Sequence, residues 1–217
     1  MIQRRTLLGA GLLGLASTIA VGLVCTPSTS TANPGAQARI GSPAPGFSLT
    51  DSNGKSVSLA DFKGKTVVLE WTNHDCPYVR KHYTGQAMQG LQKKWTDKGV
   101  VWLSVISSAP GEQGFVTPEQ ANKLTVDRSA KPTAVLFDSK GAVGRTYGAS
   151  VTPHMYIING DGTLAFMGGI DDKASSRIED LKTAKNFVDM ALDEIAQGKP
   201  VSTTTSRPYG CSVKYQS

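Results

Sequence analysis

The chain has 217 residues, 39% of them hydrophobic and 18% charged, a composition that supports a packed core and argues against wholesale disorder. Three cysteines are too few for a disulfide-stapled miniprotein or a multi-cysteine zinc module. The formal net charge of +6 invites a nucleic-acid reading, but no run of five like charges and no arginine/aromatic motif accompanies it.

Two of the six excess positive charges belong to the first residues. Residues 1–38 hold Arg4 and Arg5, no acidic residue, and an apolar run from Leu7 to Val24. They end in Ala36-Gln37-Ala38, an A-x-A cleavage pattern, with Ser30-Thr31-Ala32 as a second cut site. The paired arginines before Thr6-Leu7-Leu8 resemble a twin-arginine export signal; an ordinary secretory signal that happens to carry two arginines is the alternative. Cys25 follows the bulky Val24 and is read as part of the discarded segment. Cleavage after Ala38 leaves 179 residues, a net charge of +4 and two cysteines, Cys76 and Cys211. The expected location is periplasmic or otherwise extracytoplasmic in a bacterium, with membrane contact only through the signal segment and no nucleic-acid partner. Disulfides persist in such a compartment.

Residues 39–46 read as an irregular lead-in rich in Gly and Pro. Phe47–Thr50 and Val57–Leu59 alternate around the turn Asp51–Gly54, which predicts an N-terminal hairpin. Thr66–Trp71 and Val100–Ile106 are continuous apolar runs suited to buried central strands. Between them Pro77 takes a first helical position, and Val79, Tyr83, Ala87, Leu91 and Trp95 form one stripe; Gly85 and Gly90 weaken that helix and are expected to kink it, and Gly99 closes it. Thr117-Pro-Glu-Gln120 combines a capping box with Pro at the first helical position. Pro132–Phe137 is a third strand, stopped by Asp138–Gly141, and a short helical turn spans Val143 to Tyr147. His154–Ile158, the turn Asn159–Gly162 and Thr163–Met167 form a second hairpin. A last helix carries Leu181, Ala184, Phe187, Val188, Ala191, Leu192 and Ile195 on one face and ends at Gly198. Residues 39–198 thus form one domain, and residues 199–217 a Pro/Ser/Thr-rich tail carrying Cys211. The order of elements fits an α/β fold, a three-layer α/β/α sandwich with a mixed central sheet.

The segments Phe47-Ser-Leu-Thr-Asp, Leu59-Ala-Asp-Phe-Lys-Gly-Lys-Thr-Val-Val68, Cys76-Pro77, Val151-Thr-Pro153 and Asn159-Gly-Asp-Gly162 together resemble the thioredoxin-like superfamily. Within it the sequence is similar to the redoxin, or alkyl hydroperoxide reductase/thiol-specific antioxidant, group over roughly residues 41–197. The resemblance implies a thiol oxidoreductase with Cys76 as nucleophile and Pro153 as a cis-proline facing it. It also places Glu70 where thioredoxins keep a buried acid that assists proton transfer; a structural acid paired with a lysine is the alternative. The match departs from both subgroups. Val79 stands where a C-x-x-C motif has its second cysteine, and Leu69 and Asn73 stand where the peroxiredoxin P-x-x-x-T-x-x-C signature has Pro and Thr.

Chemistry concentrates on Cys76. A thiol between a buried strand and a helix N-terminus meets unpaired N–H groups and the positive end of the dipole, which stabilise a thiolate. Its neighbours Asn73, His74, Asp75 and Arg80 are polar, so an exposed, reactive thiol is expected rather than an inert buried one. Asn73 is a candidate donor in place of the missing Thr, and His74 and His154 are candidate supporting residues. Cys211, between cations and glycine in Arg207-Pro-Tyr-Gly-Cys211-Ser-Val-Lys214, is expected to be an accessible thiolate and the candidate resolving thiol. A structural disulfide or an intermolecular bridge is the alternative. The expected substrate is a protein disulfide or a hydroperoxide, with a thiol electron donor and no cofactor. Two other functions share the fold: a copper- or zinc-binding chaperone using Cys76 and His154, and a noncatalytic binding module. His82, six positions past Cys76, is expected to turn largely away from it.

Overall fold

A computed structural model describes residues 37–216. The expected export segment lies outside the described residues apart from Gln37 and Ala38, as does Cys25. No helix among the described residues is long and apolar enough to cross a membrane.

The two continuous apolar runs become β3 (Val67–Trp71) and β4 (Val101–Ile106), and every residue of both is buried. A strand covered on both faces has no side that needs polar residues, which is why neither run alternates. They pair in parallel, and β5 (Ala134–Phe137) continues the parallel set beside β4. The predicted hairpins supply antiparallel edges. The first is β1 (Ser48–Asp51) with β2 (Ser56–Ser58); β6 (Val151–Thr152) then precedes the second, β7 (His154–Ile158) with β8 (Leu164–Gly168). The seven-stranded sheet runs β2-β1-β5-β4-β3-β7-β8, a mixed sheet of the thioredoxin-like kind.

Alternation along the central strands sorts the core onto two faces. Val67, Leu69, Trp71, Leu103, Val105 and Tyr156 pack with Val143 and Tyr147 of α4 (Ala142–Tyr147). Val68, Trp102, Met155 and Ile157 pack on the other face, against α1 (Pro77–Thr84), α2 (Ala87–Thr96) and α5 (Phe187–Ala196). Cys76 belongs to this second face. The helix α3 (Pro118–Asp127) starts at the predicted capping box: the Thr117 hydroxyl accepts from Gln120 N–H, and the Gln120 side chain accepts from Thr117 N–H.

Two helices differ from the pattern in the sequence. The stripe Val79–Trp95 is broken rather than kinked: α1 ends at Gly85, Gln86 adopts a left-handed φ of 58°, and α2 begins at Ala87. The reason is a neighbour. A Cβ on Gly85 would lie 2.3 Å from Leu181 Cδ1 and 3.2 Å from Ile178 Cγ2, so the 3-10 turn Ile178–Lys182 packs directly on this glycine. The last helix is correspondingly shorter than Leu181–Ile195, because Leu181 is spent on that turn and α5 starts only after Asn186, whose side chain caps Asp189 N–H at 2.9 Å.

The tail returns across the molecule. Met167 N–H donates to Thr204 O at 3.0 Å, and β9 (Cys211–Ser212) pairs antiparallel with β6. The two glycines of the predicted long helix should therefore respond oppositely to alanine. Gly85→Ala should cost about 1–3 kcal/mol by overpacking against Leu181. Gly90→Ala, within α2 with nothing within 4 Å of its Cβ position, should gain about 0.5–1 kcal/mol. Urea denaturation midpoints of the two variants check the opposite signs.

Candidate active site

Cys76 is the N-cap of α1, held in an extended conformation with Pro77 as the first helical residue. The loop before it is fixed by side-chain bonds. Asn73 Oδ1 accepts from Asp75 N–H at 2.9 Å, Asn73 Nδ2 donates to Gln113 O at 3.3 Å, and Cys76 N–H donates to Asn73 O at 3.1 Å. Asn73 therefore shapes the turn with its whole carboxamide. Arg128 Nη2 donates to the His74 carbonyl at 3.1 Å, while the His74 ring lies 3.3 Å from the Asp75 carboxylate and is partly exposed.

The expectation of an exposed thiol is not met. Cys76 is 0% exposed, because the chain lays its own tail over the polar turn. Its Sγ lies 3.2 Å from the carbonyl of Thr152, to which the neutral thiol donates. Thr152 precedes Pro153 through a cis peptide bond and is the register partner of Cys211 across β6 and β9. The resemblance placed Pro153 here, and the fold brings Cys211 to the same spot from the far end of the chain.

Burial by itself would push the Cys76 thiol up. Hydrogen bonds from the Cys211 side chain, from Val79 and Cys211 N–H and from the Thr152 hydroxyl outweigh it and hold Cys76 below an ordinary cysteine. The Thr152 carbonyl acts in the other sense, since it accepts from the thiol and has nothing to offer a thiolate. Cys211 does not behave as the accessible thiolate its flanking cations suggest. Burial, its hydrogen bond to Cys76 and the Cys76 charge push it up to about 11, with Lys214 opposing only weakly. The two shifts run in opposite directions and make Cys76 the more readily ionised of the pair. Both are free thiols in this structure.

Glu70 stands on the same sheet face, fully buried, and its carboxyl is raised by loss of solvent. Among the described residues no lysine pairs with it. It accepts instead from Tyr83 Oη at 2.8 Å, Trp102 Nε1 at 2.8 Å, Ser104 Oγ at 3.1 Å and Gln92 Nε2 at 3.1 Å. Four neutral donors replace the lost water and tie α1 and α2 to the sheet.

His154 points the other way. Its strand register matches Trp71, and its ring packs 4.7 Å from Tyr156 on the α4 face, opposite Cys76. A metal site shared by Cys76 and His154 is not assembled. Among the described residues no group of three or more His, Cys, Asp or Glu side chains could hold a metal ion. His82 turns from Cys76 as its spacing indicated, into the tail, where its Nε2 lies 3.3 Å from Tyr209 Oη.

The residues the sequence pattern missed all contact the tail. Buried Lys81 donates to Lys173 O at 2.9 Å and to Tyr209 Oη at 3.0 Å, with Asp171 Oδ2 at 3.5 Å, and Tyr209 donates to Asp171 Oδ1. A lysine with one exposed-looking helical position carries no local sign of burial. Only the tyrosine two residues before Cys211 hinted that this stretch is anchored.

The environments of these groups set two expected outcomes. Cys211→Ala removes a donor to the Cys76 thiolate, so the midpoint of Cys76 ionisation should rise; the pH dependence of its alkylation measures this, and an unchanged midpoint contradicts it. His154 is held neutral by burial, its pKa pushed down to about 4. Between about pH 4 and the ordinary value of 6.5 the unfolded chain binds a proton there that the folded chain does not, so acidification through this window lowers stability. In His154→Gln, the fall of the urea midpoint across that window should be shallower than in the wild type.

Comparison with known proteins bears on the family and the fold. Over 125 residues the chain is 32% identical to the thiol-disulfide oxidoreductase ResA of Bacillus thuringiensis subsp. konkukian, a match covering 58% of this chain and 66% of that protein. The chain thus spans just under two thirds of that relative's length. It is 31% identical over 125 residues to the thioredoxin-like protein YneN of Bacillus subtilis, covering 57% of this chain and 68% of that one. The crystal structure of an uncharacterized conserved protein from Geobacillus kaustophilus is similar over 82% of this chain and 93% of that chain, with a TM-score of 0.67 and 26% identity. With residues 40–167, more than half of its length, matching the family pattern, this chain belongs to the AhpC/TSA family.

Proposed function

We propose that this protein is an exported thiol–disulfide oxidoreductase that acts through Cys76 and Cys211. The observation that carries the reading is that Thr152 gathers both cysteines at the N-terminus of α1, its carbonyl taking the Cys76 thiol at 3.2 Å and its register partner being Cys211. The Cys76 thiolate attacks one sulfur of a substrate disulfide, forms a mixed disulfide and releases the other sulfur as a thiolate, which takes up a proton. Cys211, deprotonated as it attacks, then displaces the second substrate sulfur from Cys76. Two electrons have passed from the protein dithiol to the substrate, and the Cys76–Cys211 disulfide remains for an external thiol donor to reduce. The same steps run backwards if the partner is a dithiol. A protein disulfide is the substrate class favoured by similarity to the relative named thiol-disulfide oxidoreductase.

Hydroperoxide reduction fits less well. Cleaving an O–O bond needs a donor for the departing oxygen, and Asn73, the candidate for it, is buried with its oxygen on Asp75 N–H and one amide N–H on Gln113 O. A noncatalytic module has no use for a pair of thiols tuned apart. Export is supported by the arginine pair, apolar run and cleavage pattern of residues 1–38.

The test is disulfide exchange with a peptide disulfide and a dithiol donor. Cys76→Ser should fall to the uncatalysed rate. Cys211→Ser should stall, accumulating a mixed disulfide between Cys76 and the peptide that mass mapping can locate. Turnover that survives Cys76→Ser, or a Cys211→Ser variant that turns over without stalling, would sink the reading.

A further inference from the structure

Cys76 has no exposed surface, yet exchange requires a foreign sulfur to approach it in line with the bond being broken. What covers it is the tail, and the tail is fastened on both sides of Cys211. Upstream, the Tyr209 hydroxyl donates to Asp171, accepts from Lys81 Nζ at 3.0 Å and lies 3.3 Å from His82 Nε2. Downstream, Tyr215 Oη donates to Ala149 O at 2.6 Å, and its ring fills the space left by two side-chain-free residues, Gly141 and Gly144. The Arg145 guanidinium lies 4.5 Å from the centre of that ring. Between the anchors the tail is held by the two-residue pairing of β9 with β6, by Val213 N–H on Ser150 O at 3.0 Å and by Ala109 N–H on Lys214 O at 2.8 Å.

The chemistry of the upstream anchor differs from that of a permanent one. Lys81 and Asp171 are 1% and 3% exposed, and burying an ion pair costs hydration that its mutual attraction only partly returns. When the tail lifts, both charges regain water, which offsets the hydrogen bonds lost. An apolar plug of the same size would gain nothing on opening. The site is therefore suited to releasing and re-forming, whereas the core beneath it is not.

We infer that residues 207–216 are a gate over Cys76, latched by Tyr209 on the Lys81–Asp171 pair and by Tyr215 against Gly144, and that Tyr209 is the positioning residue that returns Cys211 to Cys76. The gate lifts to admit a disulfide and closes to bring the resolving thiol. The second of these roles rests on the exchange reading above; the first does not.

The test uses the full chain in the Cys211→Ser background, with iodoacetamide as the probe and mass mapping of Cys76 as the readout. Tyr209→Phe keeps the ring and removes the hydroxyl, and hydrogen bonds to charged groups are strong enough for alkylation of Cys76 to quicken about tenfold or more. Gly144→Ala reaches the opposite anchor: a Cβ there would sit 2.3 Å from Tyr215 Oη, while alanine favours α4 itself. It should quicken alkylation too, and in both variants amide exchange in β3 and β4 should stay at the parent's rate. Unchanged alkylation in both, or acceleration matched by faster exchange in β3 and β4, overturns the gate. With Cys211 present, a tenfold loss of effective concentration in Tyr209→Phe should shift the glutathione equilibrium of the Cys76–Cys211 disulfide by about 30 mV towards reduction. An unshifted equilibrium overturns the positioning role. If the wild type never forms that disulfide, the exchange reading fails, and the alkylation result still decides the gate.

Discussion

The structure turns on Thr152. Its carbonyl receives the Cys76 thiol at 3.2 Å, its peptide bond to Pro153 is cis, and its strand is the one on which Cys211 pairs. One residue thus sets both the position of the nucleophile and the docking edge for the tail. The close approach demands glycine at position 210, where φ is 142° and a Cβ would fall 1.9 Å from the Thr152 carbonyl oxygen. The Gly-Cys sequence near the end of the chain is then a packing requirement as much as a chemical one.

Polar burial is the second theme. Glu70, Lys81, Asp171 and Asp138 are all nearly or wholly removed from solvent. Asp138 accepts from Ser107 Oγ and from the N–H groups of Val143 and Gly144, so it ties β4 to the start of α4. Glu70 ties the other face of the sheet to α1 and α2 through neutral donors. In each case the lost hydration is replaced by several hydrogen bonds from different elements, which is how an interior charge or acid can be kept without unfolding its surroundings. The Lys81–Asp171 pair differs in being completed by the tail, and so it alone couples burial to the state of the gate.

Much of the scaffold was legible in the residues. The apolar runs of β3 and β4, the turns of both hairpins and the Thr117 capping box express themselves through neighbours a few positions away, and they formed where expected. Cys76 at a helix N-terminus was legible for the same reason, since Pro77 marks the first turn. The unbroken helix 79–95, the exposed thiol and the accessible Cys211 thiolate were misread because each depends on a distant segment. Leu181 packs on the break at Gly85, the tail covers Cys76, and burial together with the Cys76 contact raises Cys211.

The sequence by itself determined the layered α/β architecture, the family resemblance and the presence of two cysteines in the chain beyond residue 38. Those follow from periodicity, turn chemistry and composition, which are local or additive properties. The tertiary structure alone decided that Cys211, 135 residues from Cys76, returns in the tail to Thr152, the residue whose carbonyl holds the Cys76 thiol, and that His154 faces away from them. Which residues share a face or a strand edge depends on the order in which strands assemble, and nothing in the neighbourhood of a single residue specifies that order.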